Sequence, residues 1–178
     1  MRRIAILTGQ SNPGSCALTP AQTAFLEAVR PPECDVIWTA FPYGVSGGYR
    51  EVHILLASLH NAFEVAGTYS AGRVRWIGER IESLCTGVKR LTLITGSCGL
   101  QMVNAAWPLL TAGCEIRIIA LGPVCLSKPR MPIVAVRGRS DVWSRALFGG
   151  PIDSYCRCGH LSYWESDEVR ELVGRLVR

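Results

Sequence analysis

No stretch of this 178-residue sequence is apolar for the length that a membrane span needs. Charge is sparse, at 19% of residues against 48% hydrophobic, and there is no low-complexity tract, so the composition is that of a packed globular chain. Metal-ligand spacing is missing as well. Cys156 and Cys158 make only a C-x-C, and no C-x₂₋₄-C or H-x₃₋₅-H pair accompanies it, so neither a metal nor a cofactor is expected. The net charge of +5 is spread along the chain, densest at Arg73, Arg75, Arg80, Lys89 and Arg90, and no nucleic-acid-binding motif goes with it. The N-terminal run Ile4 to Leu7 stops at Thr8-Gly9, too short for a signal-peptide core, and reads as a first buried strand. The eight cysteines are scattered without a framework. Together these features lead to the expectation of one cytoplasmic domain over residues 1–178, with reduced thiols.

What is present is an alternation of strands and helices. Apolar runs at Arg3–Leu7, Asp35–Ala40, Leu91–Thr95, Glu115–Leu121 and Pro132–Val136 predict strands, with a short sixth at Asp153–Arg157. Thr19-Pro20 opens a helix with the stripe Ala21, Ala24, Phe25 and Ala28. A helix over Tyr49–Ala66 carries Val52, Leu55, Leu56, Leu59 and Phe63 on one face. A further helix covers Ala71–Cys85 through Val74, Ile77, Ile81 and Leu84, and another Cys98–Leu110. Ser166 caps a last one through Val169, Leu172, Val173 and Leu176. Uniformly apolar strands between helices predict a mostly parallel sheet covered on both faces, an α/β/α sandwich.

Ligand-handling residues in such sheets lie just past the carboxyl ends of the strands. At the end of the third strand stands Thr95-Gly96-Ser97-Cys98-Gly99. A nucleophile on a strand-to-helix turn needs small residues two positions before and after it. Ser97 meets that need, whereas Cys98 has Leu100 in the second small position. Ser97 is therefore the candidate nucleophile, and Cys98 offers its backbone N–H. Thr95 stands where the usual G-x-S-x-G has its first glycine. A serine needs a base. Of the three histidines, His53 and His60 share a helix and suit packing or solvent contact, while His160 follows a glycine in a polar loop before the last helix. The candidate acid is Asp141, beyond the fifth strand, although an aspartate there also suits the cap of a short helix. Asp153 competes with it but lies at the start of the sixth strand, and so is expected at the opposite edge of the sheet from His160.

The chain order Ser97, Asp141, His160 resembles that of the α/β-hydrolases. "LTLITGSCG" resembles the family's nucleophile elbow, "PIVAVRGRSD" its strand before the acid, and "GHLSYWES" its terminal Gly-His segment. "IAILTGQ" resembles the strand that leads into the family's oxyanion loop. The resemblance covers nearly the whole chain. It implies six parallel strands in the order 2-1-3-4-5-6, without the family's first antiparallel strands. It also implies a Ser97-His160-Asp141 triad with an oxyanion hole from the N–H groups of Gln10 and Cys98, each donor worth about 3–4 kcal/mol. Only "GPVCLSKPRM" separates the fourth and fifth strands, where many members carry a lid. The glycine-rich "PYGVSGGY" is a candidate wall of the site. The expected substrate is a small acyl ester or a carrier-bound acyl thioester. Two other readings stay open. "GQSN" at Gln10–Asn12 resembles the nucleophile block of sialate-acetylesterase-like SGNH hydrolases, with Ser11 attacking, but the D-x-x-H of that group is absent. A non-catalytic binding protein on the same fold is the other.

Overall fold

The computed structural model describes residues 1–12, 15–41, 48–111 and 113–178. Most of the candidate wall "PYGVSGGY" lies outside them. Six strands form one parallel sheet: β1 (Arg2–Leu7), β2 (Cys34–Phe41), β3 (Arg90–Gly96), β4 (Glu115–Leu121), β5 (Val134–Gly138) and β6 (Ser154–Cys156). Their order is β2-β1-β3-β4-β5-β6, as the resemblance implies. The chain steps one way from β1 to β2 and the other way from β2 onward. Right-handed crossovers then put the intervening helices on opposite faces. On one face, α1 (Pro20–Val29) packs with α6 (Asp167–Leu176), and on the other α3 (Ala71–Cys85) packs with α4 (Gly99–Ala106). The central strands are buried through Ile4–Leu7 and Leu91–Ile94. Among the described residues, no helix is long and apolar enough to cross a membrane.

Local sequence explains most of the element ends. Thr19 and Gln22 form a reciprocal capping box at α1, with Pro20 in the first turn. Pro108 cannot donate to the α-helical ladder, so the helix expected over Cys98–Leu110 ends at Ala106 and continues as the 3-10 turn Trp107–Leu109. The buried stripe of α1 is Gln22, Phe25, Leu26 and Val29, and the expected Ala24 and Ala28 face solvent. Small alanines carry little apolar area, so the larger side chains set the rotation of the helix.

Two expectations need correction. The helix α2 runs over Ile54–Gly67, and the apolar face read from its periodicity points outward, with Leu55 at 73% and Phe63 at 65% exposure. Its inward side carries polar residues, as the site shows below. The thiols are not all reduced, because Cys85 and Cys114 form a disulfide with Cα atoms 5.6 Å apart. The C-terminus of α3 and the start of β4 both reach the amino edge of the sheet, a proximity that their spacing in sequence hides. The other six cysteines are free and buried.

Candidate active site

Ser97 sits between β3 and α4 with φ +51°, and it is the one non-glycine residue at positive φ among the described residues. An L residue held there costs about 1–2 kcal/mol, so other contacts must fix the turn. Two backbone hydrogen bonds do so: Ser97 donates its N–H to the Leu121 carbonyl (3.2 Å), and Val124 donates to the Ser97 carbonyl (3.0 Å). Gly99 lets the start of α4 press onto β1, since a Cβ there would overlap the Leu7 carbonyl oxygen. The turn is thereby clamped between β1 and the segment that follows β4.

Three chain segments meet at its tip. The Ser97 Oγ lies 3.0 Å from His160 Nε2, and His160 Nδ1 lies 2.9 Å from both carboxylate oxygens of Asp141. The carboxylate accepts, so Nδ1 carries the proton, and in the neutral ring Nε2 is left to accept from the Ser97 hydroxyl. Asp141 is fully buried. It also caps the short helix α5 (Val142–Leu147), accepting from the Ser144 N–H at 2.9 Å. The cap and the imidazole contact are compatible because a carboxylate has lone pairs for several donors. Tyr163 donates its hydroxyl to Asp141 Oδ2 at 2.7 Å. Burial pushes the Asp141 carboxyl up, but the hydrogen bonds from His160, Ser144 and Tyr163 outweigh it and leave the group below the usual carboxylate range. Asp153 is placed elsewhere: its carboxylate and N–H both bond the Ala135 backbone, at 2.7 and 2.9 Å.

The loop after β1 packs against the elbow. A Cβ on Gly9 would lie 2.5 Å from the Cys98 sulfur and would overlap the Asn61 amide of α2. Gln10, the candidate oxyanion donor, is the next residue in that loop. The inward side of α2 holds that loop: His60 donates Nδ1–H to the Ser11 carbonyl at 2.8 Å. His60 therefore binds the backbone of Ser11, and nothing in this contact makes Ser11 a nucleophile. His53 accepts from the Leu55 N–H and caps α2. The Cys98 thiol is 2% exposed, and burial, then the charge of Glu64, pushes its pKa up to about 12. It stays a neutral thiol in neutral solution.

Sequence reasoning missed a polar brace beneath the site. Gln101 and Asn104 of α4 are buried, at 4% and 2% exposure. Gln101 Oε1 accepts from the Leu126 N–H (3.0 Å), and Asn104 accepts from the Arg130 N–H (2.7 Å) while donating to Ser127 Oγ (2.9 Å). The short connection between β4 and β5 is thus pinned to the helix that follows the elbow. A polar residue on the buried stripe of α4 was the available signal. Among the described residues, no group of three or more His, Cys, Asp or Glu converges on a metal position.

No protein-family model matches the chain, and no curated protein matches it in sequence. Its structure is similar to those of solved proteins that include the following three. Esterase PE8 matches at TM-score 0.56 and 16% identity, over 99% of this chain and 91% of that one. A putative hydrolase of the α/β superfamily from Xanthomonas campestris pv. campestris matches at 0.53 and 14%, over 99% and 97%. A carboxylesterase from Mesorhizobium loti matches at 0.50 and 15%, over 99% and 88%. The chain has the α/β-hydrolase fold.

Proposed function

We propose that this protein is a serine hydrolase that cleaves a carboxylic ester or an acyl thioester through an acyl-enzyme intermediate. The observation that carries the reading is the unbroken hydrogen-bonded line from Ser97 Oγ through both nitrogens of His160 to the buried Asp141. Ser97 attacks the acyl carbon as its hydroxyl proton passes to His160 Nε2. Asp141 fixes the tautomer and stabilises the imidazolium. The N–H groups of Gln10 and Cys98 receive the negative charge that develops on the carbonyl oxygen. Collapse of the tetrahedral intermediate breaks the bond to the alcohol or thiol, which leaves with the proton from His160. A water molecule then attacks the acyl-serine with His160 again as base, releasing the acid and restoring Ser97.

An acyl substrate suits the surroundings. Val142 and Trp143 follow Asp141, Leu161 follows His160, and all three are exposed at the carboxyl edge of the sheet. The esterase and hydrolase neighbours have the same architecture, which supports the reaction class. The test is labelling with a fluorophosphonate, mapped by mass spectrometry, followed by a screen of nitrophenyl esters and acyl thioesters. Modification of Ser97 and turnover of either class is expected. Modification at Ser11 instead, or none in the folded protein, would refute the proposal.

A further inference from the structure

Tyr163 touches the acid of the site and has no part in the mechanism above. It lies three residues after His160 on the same loop and is 3% exposed. Its hydroxyl accepts from the Gly138 N–H at 2.6 Å and lies 2.7 Å from Asp141 Oδ2. An amide can only donate, so the phenolic proton is free to point at the carboxylate, and the direction of the bond is fixed. Room for the ring has been cleared. Gly122 has φ +54°, and a Cβ there would lie 2.6 Å from the Tyr163 ring and 2.8 Å from Asp141 Oδ2. One loop thus delivers two side chains to one carboxylate, His160 to both oxygens and Tyr163 to Oδ2.

We infer that Tyr163 is a positioning residue that sets the proton affinity of His160 through Asp141. The inference rests on the triad reading. The phenol takes up part of the charge of Asp141 Oδ2. Without it, more of that charge falls on the imidazole, and the ring holds its second proton to higher pH. The other titratable groups facing this pair do not change charge in the neutral range. Burial, then the charges of Cys156, Asp141 and Glu168, pushes the Cys158 thiol up to about 11. Burial first, and the bond to Asp141 second, raise the Tyr163 phenol well above its ordinary value. Cys98, on the elbow, is pushed up to about 12. The charged groups around the loop after β5 are Arg139 and Arg145, the second donating to the carbonyl of the first.

The test follows the rate of fluorophosphonate labelling at Ser97 against pH, which needs no knowledge of the substrate. In the wild-type protein the rate rises with pH as the imidazole loses its proton. In Tyr163→Phe the midpoint of that rise should move to higher pH by about 0.5–1 unit. Replacing every tyrosine with 3-fluorotyrosine strengthens the donor and keeps the ring, so the midpoint should move the opposite way. The same replacement in Tyr163→Phe should leave it still. That second measurement decides the matter if Tyr163→Phe does not fold. Coincident midpoints, with only the melting temperature changed, would overturn the role of Tyr163 and leave the triad standing. No labelling of Ser97 in the folded wild-type protein would overturn the triad reading and this one with it.

Discussion

Replacing Ser97 by glycine should make the protein more stable than replacing it by alanine, and the size of the gap tests the elbow directly. Both variants lose the Oγ contact to His160, so that loss cancels in the comparison. What remains is one Cβ at φ +51°. Steric crowding of a Cβ in the left-handed region costs about 1–2 kcal/mol. Glycine gives back about 0.4–1 kcal/mol through its greater freedom in the unfolded chain. The net spans about 0–1.6 kcal/mol in favour of glycine, centred at about 0.8 kcal/mol. For a domain of this size the central value amounts to about 2–3 °C in melting temperature. The backbone bonds to Leu121 and Val124 remain in both variants, so the turn has no reason to relax.

Urea unfolding and thermal melts of the two variants, each checked for reversibility, measure the gap. Neither variant should accept a fluorophosphonate. If alanine at position 97 is as stable as glycine or more so, the backbone there is not held in the left-handed region. The strain argument for a nucleophile elbow would then fail, whatever the activity assays report.

Four further outcomes follow from the structure. Asp141→Asn should lower turnover by about 10⁴-fold, and Asp153→Asn should leave it near wild type, because only the first carboxylate reaches His160. The Asp141 carboxyl is held below its usual range, so its contribution to stability is complete above the ordinary carboxylate pKa and is lost as pH falls through the lower folded value. Melts of wild type and Asp141→Asn should therefore converge in acid, and a constant gap down to low pH would contradict that sign. Iodoacetamide at pH 8 should leave Ser97 labelling intact, since the Cys98 thiol is buried and pushed up to about 12. Loss of labelling with carboxymethylation of Cys98 would reverse the assignment. Reduction of Cys85–Cys114, which spans 29 positions of chain, should lower stability by about 3–4 kcal/mol while labelling at Ser97 persists in the cold.

The strands were legible because buried parallel strands are nearly all apolar, and the first four expected runs fall within one residue of the observed bounds. Gly96 and Gly138 extend β3 and β5 because pairing needs only the backbone, which a hydropathy pattern does not register. The meeting of Ser97, Asp141 and His160 was legible from strand ends and chain order. The direction in which α2 faces was not. Periodicity reports that Leu55, Leu59 and Phe63 share a side, but not whether that side meets core or solvent. Here the polar side is held inward by His60 on the Ser11 carbonyl and by the Arg73–Glu64 pair. Tyr163 was illegible for a related reason: an aromatic three residues after a histidine reads as core, and only the position of Asp141 gives its hydroxyl a purpose.

The adjacency of Ser97 and Cys98 shows how surroundings, not intrinsic reactivity, assign roles at this turn. A thiol is the better nucleophile in solution, and it stands one position away. The positive φ at Ser97 turns successive side chains to different sides of the chain. Ser97 Oγ goes out to His160, and Cys98 Sγ goes in against Gly9. Burial there removes the water that a thiolate would need, and Glu64 adds a like charge, so the sulfur keeps its proton. The serine is half-buried, with an imidazole whose free nitrogen is oriented by a carboxylate on the far side. In the proposed mechanism the weaker nucleophile is the armed one, because His160 Nε2 stands 3.0 Å from its hydroxyl to take the proton. Cys98 keeps a structural use, filling the contact between the elbow and the loop that carries Gln10, and its N–H begins the helix where negative charge is favoured.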